Sequence, residues 1–527
     1  MRATARRAVI LPIVLIVIGL LALTMTGFVF FIRAETAGLA ASNDQQQARL
    51  AAESGFEELV SLLRLAPHDV TAWFDNPQRF RNALVWAETY DRESDRVRDY
   101  ATRKEYFESV TYPTPAWRYS IVAPRYDTVA GVFRYGITPE SAKLNLNTAT
   151  DEQIERLMTP LLTNLGVDNP AELVACLLDY RDDNGDVRDG GAENEWYNQL
   201  EPAYNAKNGF FDTVEELLLV KGFTAAMLYG EDVNRNGVLD LNEDDGDQSF
   251  PPYDNADGAL DYGVAPFLTV FSREMDRALD NKPRINLNQQ VGAIEAQLAE
   301  YFLPDEETGE EPPTLSDAAL QFIRALKGQN FNFAQLRSPA DLYVGEEADA
   351  GAGGGDPNSG PTDGLSAEAQ QALAASPVTL DDLPILMDYF STRPAAQAQG
   401  LLPGLLNINA APGRVLELIP GITPGAVAAI LATREQLAAE QLRTTAWPLT
   451  AGVVDPETFK RIAAYITTQA RQFHVEILGY ADHVKTARRF EWVIEMIGPL
   501  AQVKYFRDLT RLGFAWPIDE PIEVVEN

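Results

Sequence analysis

The segment DVNRNGVLDLNE, at residues 232–243, has oxygen-bearing residues at the spacing of a calcium-binding loop. Twelve-residue loops of this kind place ligands at positions 1, 3, 5, 7, 9 and 12, and a glycine at position 6 allows a sharp bend. Gly237 fills position 6. The ligand positions are filled, the seventh through its backbone carbonyl, by Asp232, Asn234, Asn236, Val238, Asp240 and Glu243. The sequence therefore predicts Ca²⁺ as a cofactor.

The chain after this loop gives only weak helix signals, because residues 244–261 are acidic and rich in Gly and Pro. Calcium sensors use a helix pair that opens when the ion binds. A single loop without that pair is predicted to clamp the structure instead. The alternative interpretation is a solvated acidic turn without an ion.

A second acidic cluster lies in LLDYRDDNGDVRDGGAENEWY, at residues 177–197. Asp179 and Asp182 are about one helical turn apart, so both carboxylates can face one point. Asn184 and Glu193 can approach them after the glycine-rich turn. Spacing alone leaves two interpretations open, a metal site and a polar helix end.

The composition argues against several other kinds of chemistry. One Cys and three His among 527 residues exclude a disulfide framework and leave little for a Cys/His metal cage or a thiol nucleophile. The sequence lacks GxSxG, HExxH and phosphate-loop motifs, so we predict that the protein is not an enzyme. A membrane-anchored hydrolase that uses carboxylates alone stays open as an alternative. A net charge of −34 opposes binding to nucleic acid.

The N-terminal region predicts a membrane anchor that continues as a long helix. Residues 9–32 carry no charge and are long enough to cross a bilayer. Three Arg precede them, which places residues 1–8 in the cytoplasm and the body outside. Residues 36–64 keep helix-forming residues up to Pro67, with an apolar stripe of Leu50, Phe56, Leu59, Val60 and Leu63. A cleaved secretory signal is the competing interpretation, but the apolar run is longer than usual for one.

Runs with strand character lie on both sides of a long helical middle. Residues 117–124 and 128–138 come before it, and the alternating runs QFHVEILGYA, RRFEWVIEMIG and VKYFRDLTRLGF come after it. The predicted fold class is therefore α+β, with a long N-terminal helix, an antiparallel sheet and a large, mainly α-helical insertion. The Gly- and Pro-rich residues 346–370 read as a linker within that insertion.

Three similar segments recur in the chain, and we call them the Asn segments: LNLNTA at 144–149, INLNQQ at 285–290 and LNINAA at 406–411. Each alternates apolar residues with Asn ahead of a predicted helix. We interpret each as the start of a subdomain or a return of the chain to the body. Three unrelated helix N-caps are the alternative, since Asn is a favoured cap.

Residues 217–228 and 416–431 share an apolar residue, a spacer, Gly, an apolar residue and Thr, a pattern typical of helix-hairpin-helix motifs. Gly222 and Gly421 would permit the tight turns. Such hairpins often present backbone amides to DNA phosphates. The acidic charge of this chain favours a structural use instead.

Together these motifs resemble the K-type minor pseudopilins of type II secretion systems. The similarity lies in LNLNTAT, VEELLLVKGFT, LLNINAAP and an acidic motif formed by Asp179, Tyr180, Asp182, Asn184, Gly191, Ala192, Glu193 and Tyr197. The resemblance implies that the acidic motif binds calcium, although Asn184 replaces an acid. It also implies cleavage of a short leader between Ala8 and Val9, with Ile13 at the place where most pilins have Glu.

The resemblance divides the chain into seven predicted parts. These are a leader (1–8), the transmembrane and amphipathic helix (9–66), the first part of a pilin-like sheet domain (67–140), a helical lobe with the acidic motifs (141–280), a helical segment with linkers (281–398), a second helical lobe (399–470) and the closing strands (471–527).

The function that the resemblance implies is that of a tip subunit of the pseudopilus, which supports protein secretion across the outer membrane. Its expected partners are I-type and J-type minor pseudopilins, other pseudopilus subunits and the prepilin peptidase. Its expected location is the inner membrane before assembly, crossed once, with a cytoplasmic N-terminus and a periplasmic body. The alternative function is a membrane-anchored DNA receptor of the competence type.

Overall fold

The computed structural model describes residues 10–86, 116–126, 132–302, 314–345, 366–394, 401–481, 486–513 and 516. The predicted leader at 1–8, with the processing residues Ala8 and Val9, lies outside these ranges, as does most of the linker at 346–370.

A single helix, α1 (Ile10–Leu65), forms the N-terminal part of the molecule. The first half of α1 is apolar and exposed. Among the described residues, α1 is the helix that is both long enough and apolar enough to cross a membrane. Its second half packs on a sheet. The predicted long N-terminal helix is therefore confirmed, and its apolar half fits a single-pass membrane anchor.

Small residues make the contact between α1 and the sheet. Ala48, Ala51 and Ala52 are buried, whereas Leu50 is 51% exposed. Leu50 was thus wrongly assigned to the packed stripe, while Leu59, Val60 and Leu63 are buried as predicted. Ala and Gly contribute little to an apolar pattern, but they let a helix lie close to its neighbour.

The sheet is antiparallel, and two short helices, α2 (Val70–Trp73) and α3 (Pro77–Phe80), connect α1 to it. Its strands are β1 (Ala83–Trp86), β2 (Trp117–Arg125), β3 (Val132–Arg134), β4 (Thr138–Pro139), β13 (Gln472–Ala481), β14 (Ala487–Ile497) and β15 (Leu500–Asp508). Their order is β1-β2-β13-β14-β15, with β3 paired to β2 and β4 paired to β13.

Between β4 and β13 lies the insertion. Its helices are α4 (Asp151–Asn164), α5 (Pro170–Arg181), α6 (Asn194–Tyr197), α7 (Ala225–Tyr229), α8 (Val291–Tyr301), α9 (Asp317–Gly328), α10 (Ala367–Leu373), α11 (Leu383–Tyr389), α12 (Gly413–Leu416), α13 (Pro424–Arg434), α14 (Trp447–Thr450) and α15 (Pro456–Ile462). Its short strands are β5 (Leu144–Asn145), β6 (Leu268–Thr269), β7 (Arg273–Met275), β8 (Ile285–Asn286), β9 (Phe390–Ser391), β10 (Leu401–Pro403), β11 (Leu406–Asn407) and β12 (Ile466–Thr467). The predicted α+β fold with a large helical insertion is confirmed.

The insertion joins the sheet at the end of α1 that is farthest from the membrane segment. Pro139 of β4 pairs with Phe473 at the start of β13. The Phe473 ring packs against Trp73, which follows the C-terminus of α1, with 5.2 Å between the ring centroids. The other end of β13 lies against the middle of α1, where Ala481 clusters with Ala48. The chain therefore enters and leaves the insertion at the membrane-distal end of the sheet.

The two faces of the sheet differ in chemistry. On β14, Phe490, Trp492 and Ile494 face α1 and belong to its core cluster. The alternate residues Arg489 and Glu495 are also buried. Because strand side chains alternate between faces, these charged residues lie on the opposite face, where the insertion covers them.

The three Asn segments form the same structure. Each begins a two-residue parallel ladder with a strand that comes much later in the chain: β5 with β6, β8 with β9, and β11 with β12. In each ladder the first Asn pairs with a hydroxyl residue, as shown by the pairs Asn145 and Thr269, Asn286 and Ser391, and Asn407 and Thr467. The insertion thus contains three copies of one ladder.

The hydrogen bonds of these Asn side chains repeat as well. The first Asn of each segment accepts the amide of the second Asn at 2.8–3.0 Å. It also donates through Nδ2 to a carbonyl beyond the partner strand, at 2.8–3.0 Å, on Ser272, Arg393 and Gln469. The alternative of three unrelated N-caps is therefore wrong, because these side chains bind the ladder and not a helix terminus. The following helices begin after Thr150, Gln290 and Pro412.

A cation on the second helix of each copy binds the carbonyl between the two Asn residues. Arg181 donates to Leu146 O at 2.8 Å, Lys327 to Leu287 O at 2.7 Å, and Arg434 to Ile408 O at 3.3 Å. Arg181 and Arg434 also bind a second carbonyl three residues later. The three copies therefore share both the ladder and the cationic side chain that binds a carbonyl of the Asn segment.

Replacing Asn407 by Ala is expected to destabilise the protein. Asn407 is 1% exposed, so its loss leaves the amide of Asn409 and the carbonyl of Gln469 without this partner. Each buried group left unpaired costs about 1–3 kcal/mol. Asn409 is buried, whereas Gln469 is half-buried and its carbonyl can bind water, so chemical denaturation should show a loss of about 1–3 kcal/mol. The control is Asn242→Ala, which removes one amide contact on the surface; equal stability of the two variants would contradict the prediction.

Candidate metal centres

The calcium-type loop at 232–243 has internal hydrogen bonds that fold its predicted ligands inward. Asp232 accepts the amides of Asn236 at 2.9 Å and Gly237 at 2.8 Å. Gly237 has φ +69°, as the sharp bend at position 6 requires. Glu243 accepts the amides of Val233 and Asp240, both at 3.1 Å. Both ends of the loop are therefore closed by carboxylates.

The middle of the loop brings three further predicted ligands together. Asp240 Oδ2 accepts the Asn234 amide nitrogen at 2.6 Å and the Asn236 amide nitrogen at 2.9 Å. Asn234 Oδ1 and Asn236 Oδ1 accept the backbone amides of Asn236 at 2.9 Å and Val238 at 2.6 Å. The side chains at positions 3, 5 and 9 therefore lie within hydrogen-bond distance of one another.

Burial raises the pKa of the carboxyl groups that close the loop. Desolvation, with a smaller contribution from Asp232 and Asp240, raises the pKa of Glu243 to about 8. Desolvation also raises the pKa of Asp232 to about 6, although the Gly237 and Asn236 amides oppose the shift. Arg489 offsets only part of the effect of burial on Asp232, and a bound cation would supply further positive charge.

In the second cluster, Arg188 brings two predicted ligands together. Its Nη1 lies 2.9 Å from Asp179 Oδ1 and 2.5 Å from Asp182 Oδ2. Asp179 is fully buried and also accepts the Ala192 amide at 2.9 Å. The predicted convergence of Asp179 and Asp182 is thus present, and an arginine occupies the point at which they meet.

Glu193, the third predicted carboxylate, is 4% exposed, and desolvation raises its pKa, with Asp179 and Asp182 adding to the shift. By donor and acceptor geometry neither of its oxygens has a hydrogen bond within the described residues, although the Asn194 amide and the Asn208 side chain lie close enough to oppose the rise in its pKa. The Asn208 Oδ1 atom, which the sequence did not single out, is likewise buried without one. The Asn208 Nδ2 atom donates to the Asn184 carbonyl at 2.9 Å, while the Asn184 side chain accepts the Asp186 amide. Glu193 and Asn208 therefore supply three oxygens suited to a cation.

Both clusters fit the donor chemistry of calcium, which takes carboxylate, amide and backbone oxygens. Within the described ranges, however, no three Asp, Glu, His or Cys side chains already form a metal-binding group. The first loop combines its carboxylates with Asn and carbonyl oxygens, and Arg188 separates the carboxylates of the second cluster. Calcium at either cluster stays a prediction.

The loop is also held from outside by the sheet, a feature with no motif in the sequence. Arg489 of β14 donates to the carbonyls of Asn234 at 2.7 Å and Arg235 at 2.9 Å. Trp516 Nε1 donates to the Asn236 carbonyl at 3.1 Å. In the sequence, this contact was indicated only by the two charged residues that precede the alternating apolar residues of β14.

The two predicted hairpins contain glycines with φ +86° (Gly222) and +80° (Gly421), as expected for tight turns. The element before Gly222 is a 3-10 helix, Val214–Leu219, and not the α-helix that the motif predicts. The second hairpin contacts α4, since Arg156 donates to Glu417 O at 2.6 Å. This contact supports a structural use, whereas the helix-hairpin-helix assignment itself stays a prediction.

Comparison with known proteins gives one family. Residues 142–229 match the family described as Type II secretion system (T2SS), protein K, first domain. No curated protein matches the sequence of the chain. Among solved structures, the chain is similar to a chain from the crystal structure of the GspK-GspI-GspJ complex of the enterotoxigenic Escherichia coli Type 2 Secretion System. That similarity has 10% identity and a TM-score of 0.36, and it covers 89% of this chain and 98% of that chain.

The family match confirms the predicted resemblance to the K-type minor pseudopilins. The matched region contains the second acidic cluster and the first hairpin, and it ends three residues before Asp232. Residues 142–229 are therefore similar to a domain of type II secretion protein K, and the calcium-type loop lies outside the matched region.

Proposed function

We propose that the protein is the minor pseudopilin at the tip of a type II secretion pseudopilus. The observation that carries the proposal is the junction of the insertion with the membrane-distal end of the sheet, next to the C-terminus of α1. A body attached there adds bulk at the far end of the rod. It leaves no room for a further subunit above it.

The free surface of α1 supports assembly with neighbouring subunits. The sheet covers one side of the helix between Ala48 and Leu63, and the insertion lies on the opposite face of the sheet. Other helices can therefore pack along the uncovered side. The expected partners are the I-type and J-type minor pseudopilins, and the expected start is the inner membrane, with the body in the periplasm. Cleavage after Ala8 by the prepilin peptidase would precede assembly.

We propose that calcium binds at both acidic clusters and holds the insertion in shape. The unpaired oxygens of Glu193 and Asn208 support an ion at the second cluster. The inward-facing donors of Asp232, Asp240 and Glu243 support an ion at the loop. In this role the protein assembles into the pseudopilus and supports protein secretion without catalysing a reaction.

The tip assignment is tested by co-purifying the full-length protein with I-type and J-type minor pseudopilins from detergent-solubilised membranes, with calcium and with a chelator. We expect a stable complex in calcium and a weaker one after chelation. A major pseudopilin in place of the two minor ones serves as the control. Absence of a complex under both conditions would contradict the proposal. A salt-sensitive gel shift with DNA would instead favour the competence-type receptor.

A further inference from the structure

The outer side of the calcium-type loop is the place where the insertion is attached to the charged face of the sheet. The carbonyls of three successive loop residues point away from the predicted ligands and accept hydrogen bonds from the sheet domain. Arg489 binds the carbonyls of Asn234 and Arg235, and Trp516 binds that of Asn236. One short segment therefore carries predicted cation ligands on one side and the contact with the sheet on the other.

Arg489 is fixed in place and cannot simply follow a moving loop. It is 1% exposed and forms an ion pair with Glu476 on the neighbouring strand β13. The Trp516 ring lies over its guanidinium, 4.4 Å from the ring centroid. A buried charge with fixed partners is costly to expose, so the loop must adopt the shape that fits Arg489.

The fit at Gly237 is equally close. A Cβ atom added there would lie 2.3 Å from the Cβ of Pro124 on β2. The next residue, Val238, packs against the core cluster of the sheet domain. From the insertion side, the Tyr262 hydroxyl donates to the Gly237 carbonyl at 3.3 Å. Residues 234–238 thus form a joint that is tightly packed on both sides.

We propose that calcium in this loop locks the insertion onto the sheet, and that Arg489 and Trp516 are the positioning residues of the lock. This inference rests on the calcium role proposed above. Without the ion, only the hydrogen bonds that Asp232, Asp240 and Glu243 accept hold the loop closed, so the loop opens more readily. Opening the loop moves the carbonyls of residues 234–236 away from Arg489. With the ion, the loop is held in the shape that the sheet binds.

The coupling is reciprocal, because two binding events that favour one conformation strengthen each other by the same factor. Contacts from the sheet should therefore raise the calcium affinity of the loop. Calcium should in turn slow hydrogen exchange in strand β14, although no residue of β14 is a predicted ligand. This second effect separates a joint from a loop that merely binds calcium.

The experiment uses the full-length protein in detergent and measures calcium affinity by calorimetry and hydrogen exchange at residues 232–243 and 487–497. Trp516→Phe removes one hydrogen bond while keeping a ring near Arg489, and we expect calcium affinity to fall about 3- to 10-fold. The double variant Arg489→Met, Glu476→Met removes the ion pair without leaving an unpaired buried charge, and its affinity should fall further.

Arg273→Met is the matched control. Arg273 of the insertion also binds the charged face of the sheet, through Glu495 at 2.9 Å, but this contact does not involve the loop. Its calcium affinity should equal that of the unmodified protein. Equal affinity in Trp516→Phe, the double variant and the unmodified protein would overturn the coupling while leaving the calcium site intact. Calcium protection of residues 232–243 without protection of 487–497 would also overturn it. An unmodified protein that binds no calcium would remove both the joint and the calcium role.

Discussion

Replacing Gly479 by Ala is expected to destabilise the protein, although alanine normally suits a strand better than glycine. A Cβ at this position would lie 2.0 Å from the Ala48 carbonyl and 2.6 Å from the Ala52 amide of α1. Both atoms belong to a helix backbone and cannot rotate away. The helix and the sheet would have to separate, and the buried face of α1 would lose its packing.

Forcing an extra group into a packed core lowers the free energy of unfolding by about 1–3 kcal/mol. We expect Gly479→Ala to fall within this range and Gly479→Val to reach or exceed its upper end. Thermal unfolding of the detergent-solubilised protein measures the effect. The control is Gly292→Ala on α8, where an added Cβ has nothing within 4 Å and the helix should become slightly more stable. An unfolding temperature in Gly479→Val equal to that of the unmodified protein would show that α1 does not pack on the sheet in this way.

Glu243→Gln is expected to remove most of the stabilisation that calcium gives. The change deletes one negative charge from the predicted closing ligand, and losing one partner of a buried charge contact costs about 2–5 kcal/mol. That cost corresponds to a decrease in calcium affinity of roughly 30-fold or more. In the absence of calcium the effect should be smaller, because Gln keeps one of the two hydrogen bonds that Glu243 accepts from the amides of Val233 and Asp240.

The measurement is the unfolding temperature with and without calcium. At a concentration 100 times the dissociation constant, a bound ion stabilises the folded state by about 2.7 kcal/mol. Glu243→Gln should lose most of this gain, while Asp247→Asn, the same charge change at an exposed residue, should keep it. An equal calcium-dependent shift in Glu243→Gln and the unmodified protein would exclude the loop as the binding site.

The sequence predicted the parts of the fold that depend on strong local patterns. The uncharged run of α1 and the alternating residues of β13 and β14 were sufficient to place a helix on an antiparallel sheet. The contact between them was predicted less well. Leu50 has the apolar character of a core residue, but Gly479 and Ala48 decide the contact because they are small, and size does not appear in an apolar pattern.

Longer-range pairing could not be read from the chain. The Asn segments repeat visibly, but the strands that pair with them lie 60 to 124 residues later and share little beyond one hydroxyl residue. The alternation of β14 did not show what covers the face that carries its charged residues. In the structure the insertion covers that face, since Arg489 finds backbone carbonyls there and Glu495 lies 2.9 Å from Arg273. An alternating strand shows which residues share a face and leaves open what covers it.

The acidic clusters illustrate the same limit. Loop spacing was enough to align Asp232, Asn236 and Glu243, because the ligands of such a loop are all local. Asn208 was missed because it follows Glu193 by 15 residues and belongs to no motif. Its buried oxygen became visible only once the chain had folded around it.

The central claim, that the protein caps the pseudopilus, is tested most directly by gold labelling of an epitope tag inserted in the Gly- and Pro-rich linker predicted at 346–370, followed by electron microscopy of isolated pseudopili. We predict label at one end of each filament. Label distributed along the filaments, or filaments without any label, would contradict the account.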